Sequence, residues 1–334
     1  MVQSQLPYGV NDLNPKVDVS VDDRDVVRCY VRGCQHFVRR PMKCQRGELC
    51  PEHGIYCHHS SYGSTYSYAD VRRNIIASPD VFAERIIGHP FKYESQRLGS
   101  EKSEDALSWN VFRSLQEAGC LAQVTNVLIG ESHPEEPDLY LWGIRISGDS
   151  FEPWNLLIAA REHFESDLPV ERPLTEPDIA LHLPGRYLAL IEAKFTSPNT
   201  FYERGERKDD QSLTMDELLA IYQDPDLRLL DTEKAKCRDR VAYQLWRNTI
   251  LAEWMAMRDS SATKAYHINL VREGCEEASA AEFSELLQVE YAERFGQATW
   301  EQLYRLAVQQ SATPGRLCEY MEQKTAQLTK AFRV

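Results

Sequence analysis

Thr175-Glu176-Pro177-Asp178-Ile179-Ala180-Leu181-His182-Leu183-Pro184-Gly185-Arg186-Tyr187-Leu188-Ala189-Leu190-Ile191-Glu192-Ala193-Lys194-Phe195 reads as a β-hairpin with charges gathered at its open end. Pro184-Gly185 is the turn signal, because proline presets φ and glycine is free to take φ > 0. Residues 178–183 alternate with period two, and residues 187–195 have the apolar, β-branched and aromatic composition of a strand. Folding about Pro184-Gly185 sets Asp178 opposite Ile191, one residue from Glu192. Alternate strand residues share a face, so Glu192 and Lys194 point the same way. Charges inside the most apolar strand of a chain cost free energy unless they are paired or bind metal. Two carboxylates suit Mg²⁺, or Mn²⁺ in its place, as a hard cation that keeps waters to share with phosphate. Such an ion lowers the pKa of a water and stabilises charge on a scissile phosphate. The lysine then orients that water or neutralises developing charge.

Working outward, apolar Leu107, Val111 and Leu115 at i, i+4 and i+8 predict a helix over residues 103–118. A strand is expected over residues 138–146, a long helix over 233–257 and a last strand over 265–271. A helical insertion near residues 153–164 precedes the hairpin. A second insertion, residues 197–231, carries Arg204, Arg207 and Lys208 and should hang beside the site. Three amphipathic helices then follow, read from Phe283-x2-Leu286-Leu287, Trp300-x2-Leu303 and Leu317-x2-Tyr320. Glu104 lies on the inward stripe of the first helix. It is equally a first-turn acid favoured by the helix dipole behind a serine cap, and Glu101 and Asp105 fit the same description. On the long helix, Gln244 and Asn248 share a face at i, i+4.

Pro177-Asp178 and Glu192-Ala193-Lys194, set in this order of elements, resemble the PD-(D/E)XK nuclease superfamily over residues 90–275 or thereabouts. The resemblance implies a mixed α/β fold with a restriction-endonuclease-like αβββαβ core, here between an N-terminal zinc module and C-terminal helices. It implies that Asp178 and Glu192 hold Mg²⁺ with the Ala193 carbonyl assisting, and that Lys194 positions the water. It also makes Glu104 a candidate third metal ligand, since this fold commonly places a glutamate on its first helix. Some relatives carry Gln-x-x-x-Tyr on the later helix. Here Gln244 keeps the first place and Asn248 replaces the tyrosine, which leaves Gln244 a candidate site residue. The implied activity is a metal-dependent DNA endonuclease, in a restriction or phage-defence setting, with a homodimer or a protein partner left open. The alternative is a catalytically inactive, zinc-containing nucleic-acid-binding or scaffold protein on the same fold.

The N-terminal region holds Cys29, Cys34, Cys44, Cys50 and Cys57 with His36, His53, His58 and His59. Cys29-x4-Cys34 and Cys50-x2-His53 give two pairs able to close a tetrahedral, structural Zn²⁺ site. Cys44 remains an alternative to Cys29 or Cys34, and Cys57-His58-His59 stand as bystanders or a weaker site. The first twenty residues lack the apolar core of a secretion signal. The expectation is therefore a reducing, cytoplasmic setting, in which metal is favoured over disulfide. Residues 28–47 carry six basic side chains and no acid, followed by Tyr56, Tyr62, Tyr66 and Tyr68. That suits either contact with nucleic acid or simple solubility.

The four expected segments are an arm over residues 1–27, a zinc module over 28–68, a nuclease core with insertions over 69–275, and a helical region over 276–334. A net charge of −13 opposes indiscriminate DNA binding, so specificity, a partner or an activating state should limit cutting. No apolar run approaches the ~20 residues that span a membrane.

Overall fold

The computed structural model describes residues 26–40, 47–58, 66–90, 92, 98–148, 150–168, 175–205, 213–310, 312–313, 315–326 and 329–334. Most of the N-terminal arm lies outside them, as do Lys43, Cys44, Arg46, His59, Tyr62, Arg207 and Lys208. The chain divides into two compact units, residues 1–118 with 307–334, and residues 119–306.

In the first unit, β1 (Val26–Arg28) pairs antiparallel with β2 (Phe37–Arg39), and β3 (Ile55–Cys57) with β4 (Tyr66–Tyr68). These short hairpins enclose a small core of Val27, Val38 and Ile55 with Cys29, Cys34, Cys50 and Cys57. Tyr66 and Tyr68 are buried in it, edge to face at 5.5 Å, so of the tyrosines read as either a nucleic-acid surface or a solubility feature these two serve as core. After α1 (Pro79–Arg85) comes α2 (Glu104–Glu117), the expected first helix. It starts where the Ser103 hydroxyl accepts a hydrogen bond from the Ala106 amide at 3.1 Å, with Glu104 and Asp105 in its first turn.

The second unit is built on a seven-stranded mixed sheet. After α3 (Leu121–Ile129) run β5 (Asp138–Leu141), β6 (Ile144–Ser147), β7 (Ser150–Pro153), α4 (Asn155–Glu165), β8 (Ile179–Leu183) and β9 (Tyr187–Ala193). Next come β10 (Phe201–Glu203), α5 (Met215–Ile221), α6 (Thr232–Lys236), β11 (Arg240–Ala242), α7 (Tyr243–Asp259) and β12 (Lys264–Val271). The unit finishes with α8 (Glu277–Ser284), β13 (Phe295–Thr299) and the start of α9 (Trp300–Gln309). In the sheet the order is β13-β12-β9-β8-β5-β6-β7, with β12 parallel to β9 and β13 and the other pairs antiparallel. Beyond α9, α10 (Gly315–Gln323) packs on α2 within the first unit.

Three expectations need correcting. The single strand over 138–146 is a hairpin: Trp142 and Gly143 form its turn with φ of 55° and 79°. A two-residue turn of that kind needs φ > 0 at both positions and rarely holds tryptophan. Burial of Trp142 overrides the rule and hid the turn in an apolar run. The long helix starts at Tyr243, because residues 240–242 pair antiparallel with β10 instead. The parallel strand β13 went unread, since its short Phe295-Gly296-Gln297-Ala298-Thr299 run lacks strand patterning.

Candidate active site

The hairpin closes by a three-residue loop rather than the two-residue one read from Pro184-Gly185. The Arg186 amide donates to the Leu183 carbonyl at 3.0 Å, and Gly185 takes φ of +71°. Ile179 therefore pairs with Ile191, which brings Asp178 into line with Glu192 itself rather than with Ile191. Asp178 sits just before β8 and accepts a hydrogen bond on Oδ2 from the Ala193 amide at 2.8 Å. Its approach is anchored by α4: Arg161 Nε donates to the Thr175 carbonyl at 2.7 Å, and the Thr175 amide donates to Glu165 at 3.0 Å.

Glu192 is almost fully buried, and its carboxylate accepts from three side chains. Lys194 Nζ donates to Oε1 at 2.5 Å, as the shared strand face requires. Gln244 Nε2 reaches the same oxygen at 2.7 Å, and Asn248 Nδ2 reaches Oε2 at 2.6 Å. Both amides come from one face of α7, which packs against β9 and β12. Burial works against the charge on Glu192, but the Lys194 ammonium and the Arg247 guanidinium outweigh it and hold the carboxyl below its ordinary range. The backbone of Lys194 is fixed on both sides: its amide donates to Leu270 at 2.8 Å, and Trp300 Nε1 donates to its carbonyl at 3.1 Å. Nearby on β12, His267 bonds Thr249 at 2.6 Å, and burial pushes its pKa down to about 4.

The structure thus brings Asp178, Glu192, Lys194 and Gln244 together. Glu104 opens α2 of the first unit. Asn248 was read as a mismatch, yet it binds the other oxygen of Glu192. Its i, i+4 spacing from Gln244 was the usable signal. The anchoring group Glu165–Thr175–Tyr222 left no local trace, being assembled from α4, the chain before β8 and the end of α5.

The four residues named for zinc also converge, within the first unit. The ligand atoms of Cys29, Cys34, Cys50 and His53 all lie within 4.8 Å of one another. Cys34 Sγ and Cys50 Sγ are 3.8 Å apart, and His53 Nδ1 is 3.5 Å from Cys50 Sγ and 3.7 Å from Cys29 Sγ. Tetrahedral Zn²⁺ with Zn–S of about 2.3 Å separates sulfurs by about 3.8 Å, so this Cys3His set can hold the ion. Gly33 at φ +82° and Gly54 at φ +61° form the two knuckles, and Arg73 ties the second down through the His53 carbonyl at 2.5 Å.

Residues 163–325 match the family model described as restriction endonuclease associating with ARP. That segment is restriction-endonuclease-like. The restriction-endonuclease-like segment includes Asp178, Glu192, Lys194, Gln244 and Asn248, and the sheet strands that position them. The Cys3His cluster precedes it. No curated protein and no solved structure matches the chain. Among the described residues no helix is long and apolar enough to cross a membrane.

Proposed function

We propose that the chain is a metal-dependent nuclease that hydrolyses phosphodiester bonds, DNA first among its substrates. The observation that carries this reading is the alignment of Asp178 with Glu192 across two paired strands, with Lys194 bonded to Glu192. Two carboxylates and a neighbouring backbone carbonyl form a hard-oxygen donor set, which fits Mg²⁺ or Mn²⁺. Asp178 and Glu192 would hold the ion, with the Ala193 carbonyl beside them. When bound, the metal supplies a more acidic water and charge stabilisation at the scissile phosphate.

The chain's own groups prepare that chemistry. Lys194 keeps Glu192 ionised and presents an ammonium that orients the attacking water. Gln244 and Asn248 fix the carboxylate rotamer by holding both oxygens. The Asp178 side chain is positioned by the Ala193 amide. Glu104 stays, as the resemblance implies, a proposed further carboxylate ligand. Zinc in the Cys3His set is proposed as a structural ion that completes the hairpin module. The family's description names an association with ARP. We extend that here to a protein partner, which would confine cutting by a chain of net charge −13. A restriction role is proposed from the wording of that match, with phage defence as its setting.

Crystals grown with Mn²⁺ test the metal site directly. Anomalous density between Asp178 and Glu192, lost in Asp178→Asn, is expected. Full Mn²⁺ elsewhere, with none at these carboxylates, would remove the basis for the reading. The same data examine Glu104, whose carboxylate should coordinate or should be set aside.

A further inference from the structure

One charged group on α7 acts on Glu192 only through its field, with no direct bond to it. Arg247 lines a cavity of about 270 Å³ with Thr200, Tyr202, Tyr222, Tyr243 and Gln244. Gln244 belongs to both places, since its amide also bonds Glu192 at 2.7 Å, so the cavity adjoins the carboxylate. The one acid in its lining, Glu165, is already occupied by the Thr175 amide at 3.0 Å and the Tyr222 hydroxyl at 2.5 Å. Arg247 is different. Its Nε donates to Asn248 Oδ1 at 3.2 Å and its guanidinium lies 5.6 Å from the centre of the Tyr243 ring, but it forms no ion pair among the described residues. A partly buried guanidinium that reaches Glu192 only through space, makes no direct ion pair and faces a cavity is a site for an anion. Its planar fork matches phosphate in particular.

The other walls narrow the ligand further. Tyr202 is half-buried and meets the buried Tyr243 edge to face at 5.2 Å. Aromatic side chains stack on bases that have left the stack, because both faces of a base inside a duplex are already covered. We infer that this cavity seats one unpaired nucleotide beside the scissile bond, its phosphate on Arg247 and its base against Tyr202 and Tyr243. The substrate class is then single-stranded, frayed or branched nucleic acid rather than continuous duplex. The inference rests on reading Asp178, Glu192 and Lys194 as a phosphodiesterase site.

The test is equilibrium binding by the full chain in Ca²⁺, which holds substrate without supporting cutting. The probes are a labelled single strand, in DNA and RNA forms, and the blunt duplex of the same sequence, each with 2-aminopurine as a stacking reporter. Wild type should prefer the single strand and quench the reporter. Tyr202→Ala should weaken strand binding about tenfold while leaving duplex binding unchanged, and Tyr202→Phe should retain it. Arg247→Gln should weaken binding and lower the salt slope by about 0.7, the value for one lost single-strand phosphate contact. Equal losses on strand and duplex, no loss in Tyr202→Ala, or no strand binding by wild type would overturn the inference. The two readings separate cleanly. Strand-selective loss in Tyr202→Ala without any metal-dependent cutting by wild type keeps the cavity and removes the cleavage reading. Cutting of continuous duplex that is indifferent to Tyr202→Ala keeps the cleavage reading and removes the cavity.

Discussion

Glu192 is held as a carboxylate by neighbours that oppose its burial, and this makes the site unstable to partial dismantling. Removing Lys194 leaves a buried charge without its cation, a loss of about 3–5 kcal/mol for breaking a buried pair. Lys194→Ala should therefore lower unfolding free energy in urea by that order. The double variant Glu192→Gln, Lys194→Met should recover most of the loss, because both charges are gone. Simple additivity of the two changes would contradict the pairing. The sign with pH follows as well. With Lys194 present the folded-state pKa of Glu192 is depressed, so its contribution exists above the unfolded value of 4.5 and is lost as pH falls through the folded value. With Lys194 removed, only the Arg247 guanidinium and the two amides still oppose burial, so the depression should shrink and this loss of stability at low pH should weaken. The sequence shows this residue triad well, because Asp, Glu and Lys stand out in an apolar run. It shows Asn248 and Arg247 poorly, since their meaning comes from a helix docking on a strand.

At the scale of elements, the hairpin was legible and its register was not. Proline and glycine announce a turn, but the loop length rests on one hydrogen bond, Arg186 to Leu183, which no residue type dictates. One residue of loop moves Asp178 from Ile191 to Glu192, and that decides whether the carboxylates align. The β5–β6 turn shows the reverse case, a buried tryptophan accepting φ of 55°. Gly143→Ala, at φ +79°, should cost about 1–2 kcal/mol in thermal or chemical unfolding, and a neutral outcome would contradict that turn. The strand β12 presses His267 against Thr249 of α7 as a neutral imidazole. Its folded pKa of about 4 lies below the ordinary 6.5, so stability should decline as pH falls from about 6.5 toward 4 and then level. The decline should be on the order of 3 kcal/mol and absent in His267→Gln. Equal acid sensitivity in the two proteins would place the effect elsewhere.

For the whole molecule, composition predicted the ingredients more than the arrangement. The Cys29, Cys34, Cys50 and His53 set was legible because metal ligands come in short pairs on knuckles with local turn chemistry. The division into two units was not, because it depends on the C-terminal residues 307–334 returning to residues 1–118, and sequence order says nothing of that. Metal analysis should give about one zinc per chain at the Cys3His set. A chelator should strip hydrogen-exchange protection from the amides of β1, β2 and β3, and Cys50→Ser should do the same. Protection that survives complete metal removal would contradict a structural ion.

Asp178, Glu192 and Lys194 are proposed to form a phosphodiester-cleaving site. The most direct measurement is single-turnover cleavage of labelled single-stranded, branched and duplex DNA by purified chain with Mg²⁺, Mn²⁺ or chelator, run beside folded Asp178→Asn and Lys194→Ala. Cutting should need the divalent ion and fall at least about a hundredfold in either variant, the scale of a lost charge-stabilising group. Cutting that survives chelation, or that Asp178→Asn leaves unchanged, would contradict that proposal.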